Sequence, residues 1–452
     1  MTNSAESEPQ DRPNASTTVT RILRLAVDVK EEEVRAVLWS CLYFFCILSS
    51  YYIIRPIRDD MGVAGGVRNL PWLFTGTLVA MVILNPLFST LVVKIPRNRF
   101  VPMTYRFFMA NLLVFFVLLK VLPEDQIVWV GRAFFIWTSV FNLFVVSVFW
   151  AVMADVFRTS QSKRLFGFIG AGGTLGGLVG AGITATLAEV LGPVQLLIAS
   201  IVLLEIGVQC LRGLSGHSGG SAQAERQGSE EAPIGGGILA AIPHIARSGY
   251  LLGICAYILL YAVAGTLLYF QQADLVDQAF SDRAARTSFF AWIDFVVNGL
   301  TLLTQIFLTG RIIRLLGVAL TLTLLPALCV VGFAGLGVFP TLGVLVVFQV
   351  LRRAGNYAVT RAARETLYTV VSREDKYKAK SLIDTFVYRA GDQVGAWSYS
   401  LMGWLGLSMA GIAFTAVPLA CVWWICGFWL GHRQTALARQ CDAGQESPPS
   451  PS

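Results

Sequence analysis

Four arginines, Arg352, Arg353, Arg361 and Arg364, sit inside one apolar stretch that runs from Thr341 to Val371. The stretch is long enough to cross a bilayer. An arginine at the centre of a spanning helix costs about 2.5–3.5 kcal/mol on insertion scales, so charge at that depth marks a functional hypothesis by default. Arg353, Tyr357, Arg364 and Tyr368 share one helical face, and Asn356 adjoins Tyr357. Arg353, Asn356 and Tyr357 are therefore candidates to bind an anion. Arg361 and Glu365 are spaced i, i+4, which suits a self-neutralising or gating pair. Arg361 and Arg364 also have the alternative of snorkelling to the interface.

A second cluster closes the first apolar run, in Ser50-Tyr-Tyr-Ile-Ile-Arg-Pro-Ile-Arg-Asp-Asp-Met-Gly62. Tyr51, Arg55 and Arg58 recur at i, i+4, i+7 on one face. Arginine offers a planar fork that matches phosphate and carboxylate oxygens. The alternative is an interfacial cap whose charges face water and headgroups. Pro56 is expected to end or kink the helix. Asp59 and Asp60 are expected to be exposed or paired.

Further charges lie in other apolar runs. Arg106 joins the anion-binding candidates. Asp384, Tyr388, Arg389 and Asp392 follow one another near the C-terminal end. Asp392 is either the counter-ion of an arginine or a proton-coupling carboxylate, and Asp384 suits a salt bridge between halves. Asp155, just before the basic segment Arg158–Arg164, reads as half of a cytoplasmic gate pair, and Arg361, Glu365 and Arg389 are further coupling or gating candidates. Asp294 and Asn298 read as a helix–helix hydrogen-bonding pair.

The elements that must carry these residues are membrane helices. Of 452 residues, 55% are hydrophobic and 14% charged, against about 25% charged in soluble domains. Apolar runs recur from Val34 to Leu430, and the mean hydropathy is +0.63. The pattern predicts an all-α membrane protein with twelve transmembrane helices in two six-helix halves. The net charge of +7 is the bias expected of a protein with basic loops on one side of an inner membrane, not of a nucleic-acid binder. Eight cysteines and three histidines show no metal spacing, so no metal and no cofactor are expected. Met1–Lys30 lacks the apolar core of a cleavable signal peptide.

Basic loops place both termini in the cytoplasm. They are Lys94 to Arg99, Arg158 to Arg164, Arg311 to Arg314, and Arg373 to Lys380. The expected organisation is a tail at 1–33, a six-helix bundle at 34–214, and a linker at 215–249 ending in a short interfacial helix. A second bundle at 250–431 and a tail at 432–452 follow. A register of 217 residues sets Tyr52 over Tyr269 and Asp60 over Asp277, in keeping with two parallel repeats. Gly172, Gly176 and Gly180 recur every four residues and predict close helix packing. No P-loop sequence is present to drive transport directly.

The run from Arg361 to Asp392 resembles bacterial relatives of the ATP:ADP antiporter family. Tyr52-Ile-Ile-Arg-Pro-Ile-Arg-Asp-Asp-Met-Gly62 is similar to that family's first span. Phe149-Trp150 through Lys163-Arg164 and the glycine-rich fifth span also fit. The resemblance covers most of Val34–Gly431 and implies a major facilitator-like fold and a secondary carrier of a phosphorylated anion. The expected protein is a bacterial inner-membrane carrier, not an enzyme, with Arg55, Arg106, Arg353, Tyr357 and Asp392 around a midplane cavity. Its partners would be an anionic small molecule and the bilayer. A proton-coupled carrier of a sugar phosphate, organic acid or siderophore remains open. So does a non-transporting membrane sensor or complex subunit. Oligomeric state is left open.

Overall fold

The computed structural model describes residues 29–215, 241–371, 379–380 and 382–445. The first six helices are α1 (Glu31–Ala64), α2 (Leu70–Lys94), α3 (Arg97–Val121), α4 (Glu124–Val156), α5 (Thr159–Leu191) and α6 (Leu196–Ser215). The linker residues 216–240 lie outside the described residues, and the short helix α7 (Ala241–Arg247) follows them. Next come α8 (Gly249–Ala279), α9 (Arg283–Phe307) and α10 (Thr309–Val338). The chain ends in α11 (Leu342–Gly355), α12 (Arg361–Thr366), α13 (Tyr388–Trp404) and α14 (Met409–Gln445). Neither terminal tail, 1–28 or 446–452, is described, nor is the basic segment 372–378.

Among the described residues, ten helices are long and apolar enough to span a bilayer. The protein is a multi-pass, all-helical membrane protein. Two further stretches, the Thr341–Val371 run and the one that carries Tyr388, Arg389 and Asp392, are not uninterrupted helices. π turns at Asn356–Thr360 and Ile383–Val387 break them. A π turn carries one extra residue and so rotates everything beyond it about the helix axis. Pro56, by contrast, does not end its helix, which continues to Ala64. Membrane helices tolerate proline where neighbouring helices satisfy the freed backbone.

Two apolar cores form. One is built by α1 to α6, around Ile47, Phe141, Phe149 and Leu204. The other is built by α8 to α14, around Tyr257, Phe270, Phe333 and Trp423. In the first core, α5 lies directly on α1. A Cβ added at Gly176 would stand 2.3 Å from the Phe45 carbonyl oxygen, and one at Gly180 would stand 2.3 Å from that of Ser49. Only glycine permits backbones this close. Ser49 Oγ uses the proximity to donate to the Gly176 carbonyl at 2.9 Å.

The cores join at one end of the bundle. Val63, Leu70, Leu73 and Phe135 of the first six helices pack into the second core. Buried Asp60 accepts from Arg286 Nε at 2.8 Å and Arg283 Nε at 3.1 Å, tying the end of α1 to the start of α9. Asp282 caps α9 by accepting from the Ala285 amide at 2.8 Å, which fixes both arginines in its first turn. Ser288 donates to the Ala185 carbonyl at 2.9 Å, and Trp397 donates to Thr75 at 3.2 Å. At the other end, two ion pairs each join residues of one half. Glu33 accepts from Arg164 at 3.0 Å, and Lys380 reaches Glu365 at 2.5 Å.

Candidate functional site

A cavity of about 190 Å³ lies between α1, α2 and α4 on one side and α8, α11 and α13 on the other. That is well above the ~10–15 Å³ one water needs, so the charged walls face open space rather than packed core. Five arginines line it: Arg55, Arg58, Arg352, Arg353 and Arg389. Asp392 is the carboxylate in the wall, and Asp59 and Asp294 stand behind it in contact with the arginines. Five guanidiniums against three carboxylates leave the site positive. Tyr261, Tyr269, Tyr357, Tyr388, Phe74 and Phe135 supply aromatic surface between the charges.

Each cation is held differently. Arg55 Nη1 is 3.2 Å from Asp294 Oδ1, and Arg353 Nη2 is 2.6 Å from the same oxygen. The Arg353 approach is off the direction a hydrogen bond requires, so its Nε and Nη2 have no hydrogen-bond acceptor. Arg58 is clamped to Asp59 by Nη2 at 2.5 Å and Nε at 3.0 Å, and its guanidinium lies over the Phe135 ring. Tyr269 donates to the same Asp59 oxygen at 3.1 Å. Arg389 Nη1 donates to Asp392 Oδ2 at 3.1 Å, and Thr266 donates to Asp392 Oδ1 at 3.2 Å.

Arg352 is the exception. It is 7% exposed and has no carboxylate partner among the described residues. Its Nε and Nη2 donate to Gln349 Oε1 at 3.3 Å, and Gln349 in turn donates to Gln272 at 2.6 Å. The Arg352 guanidinium lies over Tyr261 at 6.0 Å. A buried guanidinium with no counter-charge, set in a cavity wall, is a ready anion contact.

The structure brings together Arg55, Arg58, Arg353, Tyr357, Arg389 and Asp392 of the expected set. Arg106 needs correction. It lies on the outer face of α3, half-exposed, 3.8 Å from Glu205 of α6. Helix α3 packs outside α4 and α6 and so cannot present a side chain to the cavity. Tyr51 stacks edge-on against Tyr52 and does not line the wall. Asn356 is buried at the start of the π turn with Oδ1 lacking a partner.

The gating candidates scatter. The π turn takes Arg364 off the expected face and sets it 5.8 Å from Tyr261, while Arg361 is exposed. Glu365 pairs with Lys380 across the bundle end rather than with Arg361. Asp155 sits in the last turn of α4, 16 residues from cavity-lining Ser139, or roughly 24 Å at helical rise. The side chain of Asp384 lies outside the described ones. Asp294, Arg352 and the Gln349–Gln272 pair were not assigned a site role from the sequence. Their signal was depth: each is a polar residue in the middle of an apolar run.

No family model matches the chain. The nucleoside transporter NupG superposes with a TM-score of 0.57 at 12% identity, over 93% of this chain and 100% of that one. The protein has a major facilitator-like fold. A bacterial homolog of the human lysosomal transporter Spinster, in an inward-facing and unoccupied conformation, superposes on the same fold. Its TM-score is 0.54 at 11% identity, over 90% of this chain and 96% of that one. In sequence, the chain is similar to ADP,ATP carrier protein 1 of Chlamydia muridarum (strain MoPn / Nigg). The identity is 21% over 439 residues, covering 80% of this chain and 81% of that protein. Within the facilitator fold, the cavity described above lies where the two halves meet.

Proposed function

We propose that this chain is a secondary carrier of an anionic small molecule, a nucleotide or a nucleotide-like organic anion, in the bacterial inner membrane. The observation that carries the reading is the cavity's ring of five arginines drawn from both halves, set among aromatic rings. Phosphate and carboxylate oxygens match the arginine forks, and planar rings match the tyrosine faces. The sequence similarity to an ADP,ATP carrier supports the nucleotide class. Residues 34–214 and 250–431 act as two halves that rock about the site, with both termini in the cytoplasm. The closed end carrying Asp60, Arg283 and Arg286 is then periplasmic, and the cavity serves the cytoplasm.

Arg55 and Arg58 contribute from the first half, and Arg352, Arg353 and Arg389 from the second, so one bound anion bridges the moving parts. A membrane sensor or complex subunit would have its charges turned to a partner surface, whereas these line an internal cavity. The test is thermal stabilisation of the purified protein against ATP, ADP, other nucleotides, sugar phosphates and organic acids. A ligand at a hundred times its Kd stabilises the folded state by ~2.7 kcal/mol. A shift with ADP or ATP supports the nucleotide reading. A shift only with another anion keeps the carrier and rejects the nucleotide. No shift with any anion counts against the site.

A second reading, proton-coupled transport, is favoured by Asp392. It lines the cavity and is held by only Arg389 and Thr266 among the described residues. In vesicles, substrate-dependent proton entry that survives Asp392→Asn would remove it from that role.

A further inference from the structure

One buried carboxylate is shared by arginines from both halves. Asp294 Oδ1 lies 2.6 Å from Arg353 Nη2 and 3.2 Å from Arg55 Nη1. Arg55 rides on α1, whereas Asp294 and Arg353 ride on α9 and α11. The Asp294 side chain is 3% exposed, and its Oδ2 has no hydrogen-bond donor. Arg353 Nε and Nη2 likewise have no acceptor in hydrogen-bonding geometry. Among the described residues Asp294 is the one acid within ion-pair distance of either arginine, so charge on a single carboxylate holds the two halves together here. Both arginines line the cavity, and Asp294 stands behind them.

We propose that Asp294 is a positioning residue that stands in for the transported anion. It holds Arg55 to the second half while the cavity is empty, and releases it when an oxyanion bridges Arg55 and Arg353. The consequence is obligatory exchange. Helices α1, α5 and α9 are packed together toward the closed end, through Asp60 with Arg286 and Ala185 with Ser288. Opening that end draws α1 away from α9 and pulls Arg55 off Asp294. With the cavity empty, Arg55 would be left buried without a counter-charge, which is strongly unfavourable. With a phosphate or carboxylate bound, Arg55 keeps a partner throughout. The empty carrier is held in one state and the loaded carrier is free to turn.

The exchange consequence rests on the anion-carrier reading, whereas the lock rests only on the geometry. Hydrogen exchange with mass spectrometry on the full chain without ligand reads the lock. Asp294→Asn is expected to speed exchange in residues 181–191 and 283–293 by a factor on the order of 5 to 150, the range of ordinary site couplings. Arg55→Gln does the same, and Asp294→Glu restores slow exchange. Unchanged protection in these segments overturns the proposal. So does loss of protection spread equally through α10 and α14 without rescue by glutamate, because that describes a folding role. In proteoliposomes, labelled ADP enters the native carrier faster when unlabelled ADP is preloaded, and Asp294→Asn brings that ratio close to one. A ratio that stays as in the native protein overturns the exchange role. If native protein takes up no ADP or other anion at all, the carrier reading fails and the amide exchange still decides the lock.

Discussion

Arg352→Gln separates ligand binding from structural support, because Arg352 is the cavity arginine that neutralises no described acid. Arg353→Gln would strip Asp294 of one of its two cations, and Arg58→Gln would leave Asp59 with Tyr269 as its described partner. Both changes mix binding with the cost of an orphaned acid. Replacing Arg352 removes two 3.3 Å bonds to Gln349, whose amide keeps its 2.6 Å bond to Gln272. Both bonds come from a charged donor and share one acceptor at 3.3 Å, so losing them costs about 1.5–3 kcal/mol. Against this, a buried and unpaired guanidinium is removed, which relieves a desolvation penalty of several kcal/mol. The empty variant should therefore be at least as heat-stable as the native protein. A hydrogen bond to a charged group is worth about 1.5–3 kcal/mol, so losing one contact to the anion weakens binding by roughly 10- to 150-fold. Titration calorimetry with ADP, or with whichever anion stabilises the native protein, reads the affinity, and a melting curve of the empty protein reads the stability. An affinity within twofold of native would refute the assignment of Arg352 as an anion contact. A marked fall in the empty variant's melting temperature would refute the argument that its charge is uncompensated.

Three more expectations test separate parts of the architecture. Gly176→Ala places a Cβ 2.3 Å from the Phe45 carbonyl, so α5 must back away from α1 by about 1 Å to reach ordinary contact at 3.4 Å. The variant should lose about 1–3 kcal/mol of stability despite alanine's better helix propensity, and native-like melting would reject the packing. Asp60→Asn leaves Arg286 with Asp277 at 3.7 Å and the Phe280 carbonyl at 3.3 Å. Breaking a buried pair costs about 3–5 kcal/mol, borne by the closed end, so amides at the start of α9 should exchange faster while α14 is unaffected. Arg106→Ala removes an exposed 3.8 Å pair worth at most about 1 kcal/mol and should leave anion affinity unchanged. A large loss of affinity there would place Arg106 back in the site.

Much of the bundle was legible because membrane solvation acts residue by residue. A bilayer demands about twenty apolar residues per crossing and closes every backbone hydrogen bond within a helix, so span positions follow from the one-dimensional pattern. That is why α1, α4, α8 and α9 each run unbroken through an apolar stretch long enough to cross a bilayer. The same logic flagged Arg55, Arg353 and Asp392, since charge at depth is expensive wherever it occurs. It also explains the glycine stripe of α5, where spacing alone implies an approach that no other residue permits.

Facing and pairing were decided only in three dimensions. Arg106 and Arg353 look alike in sequence, as arginines inside apolar runs. Helix α3 happens to pack on the outside and α11 on the inside, and no local feature of either segment states which. Helical periodicity put Arg353 and Arg364 on one face, but the π turn at Asn356–Thr360 rotates everything beyond it, so Arg364 lies against Tyr261 without lining the cavity itself. Asp294 read as half of a hydrogen-bonding pair with Asn298, because its true partners stand 239 positions upstream at Arg55 and 59 downstream at Arg353. The sequence by itself determined that charges would be buried in this membrane bundle and roughly how deep. The tertiary structure decided which charge answers which, because electrostatic pairing depends on distances between helices that only their packing sets.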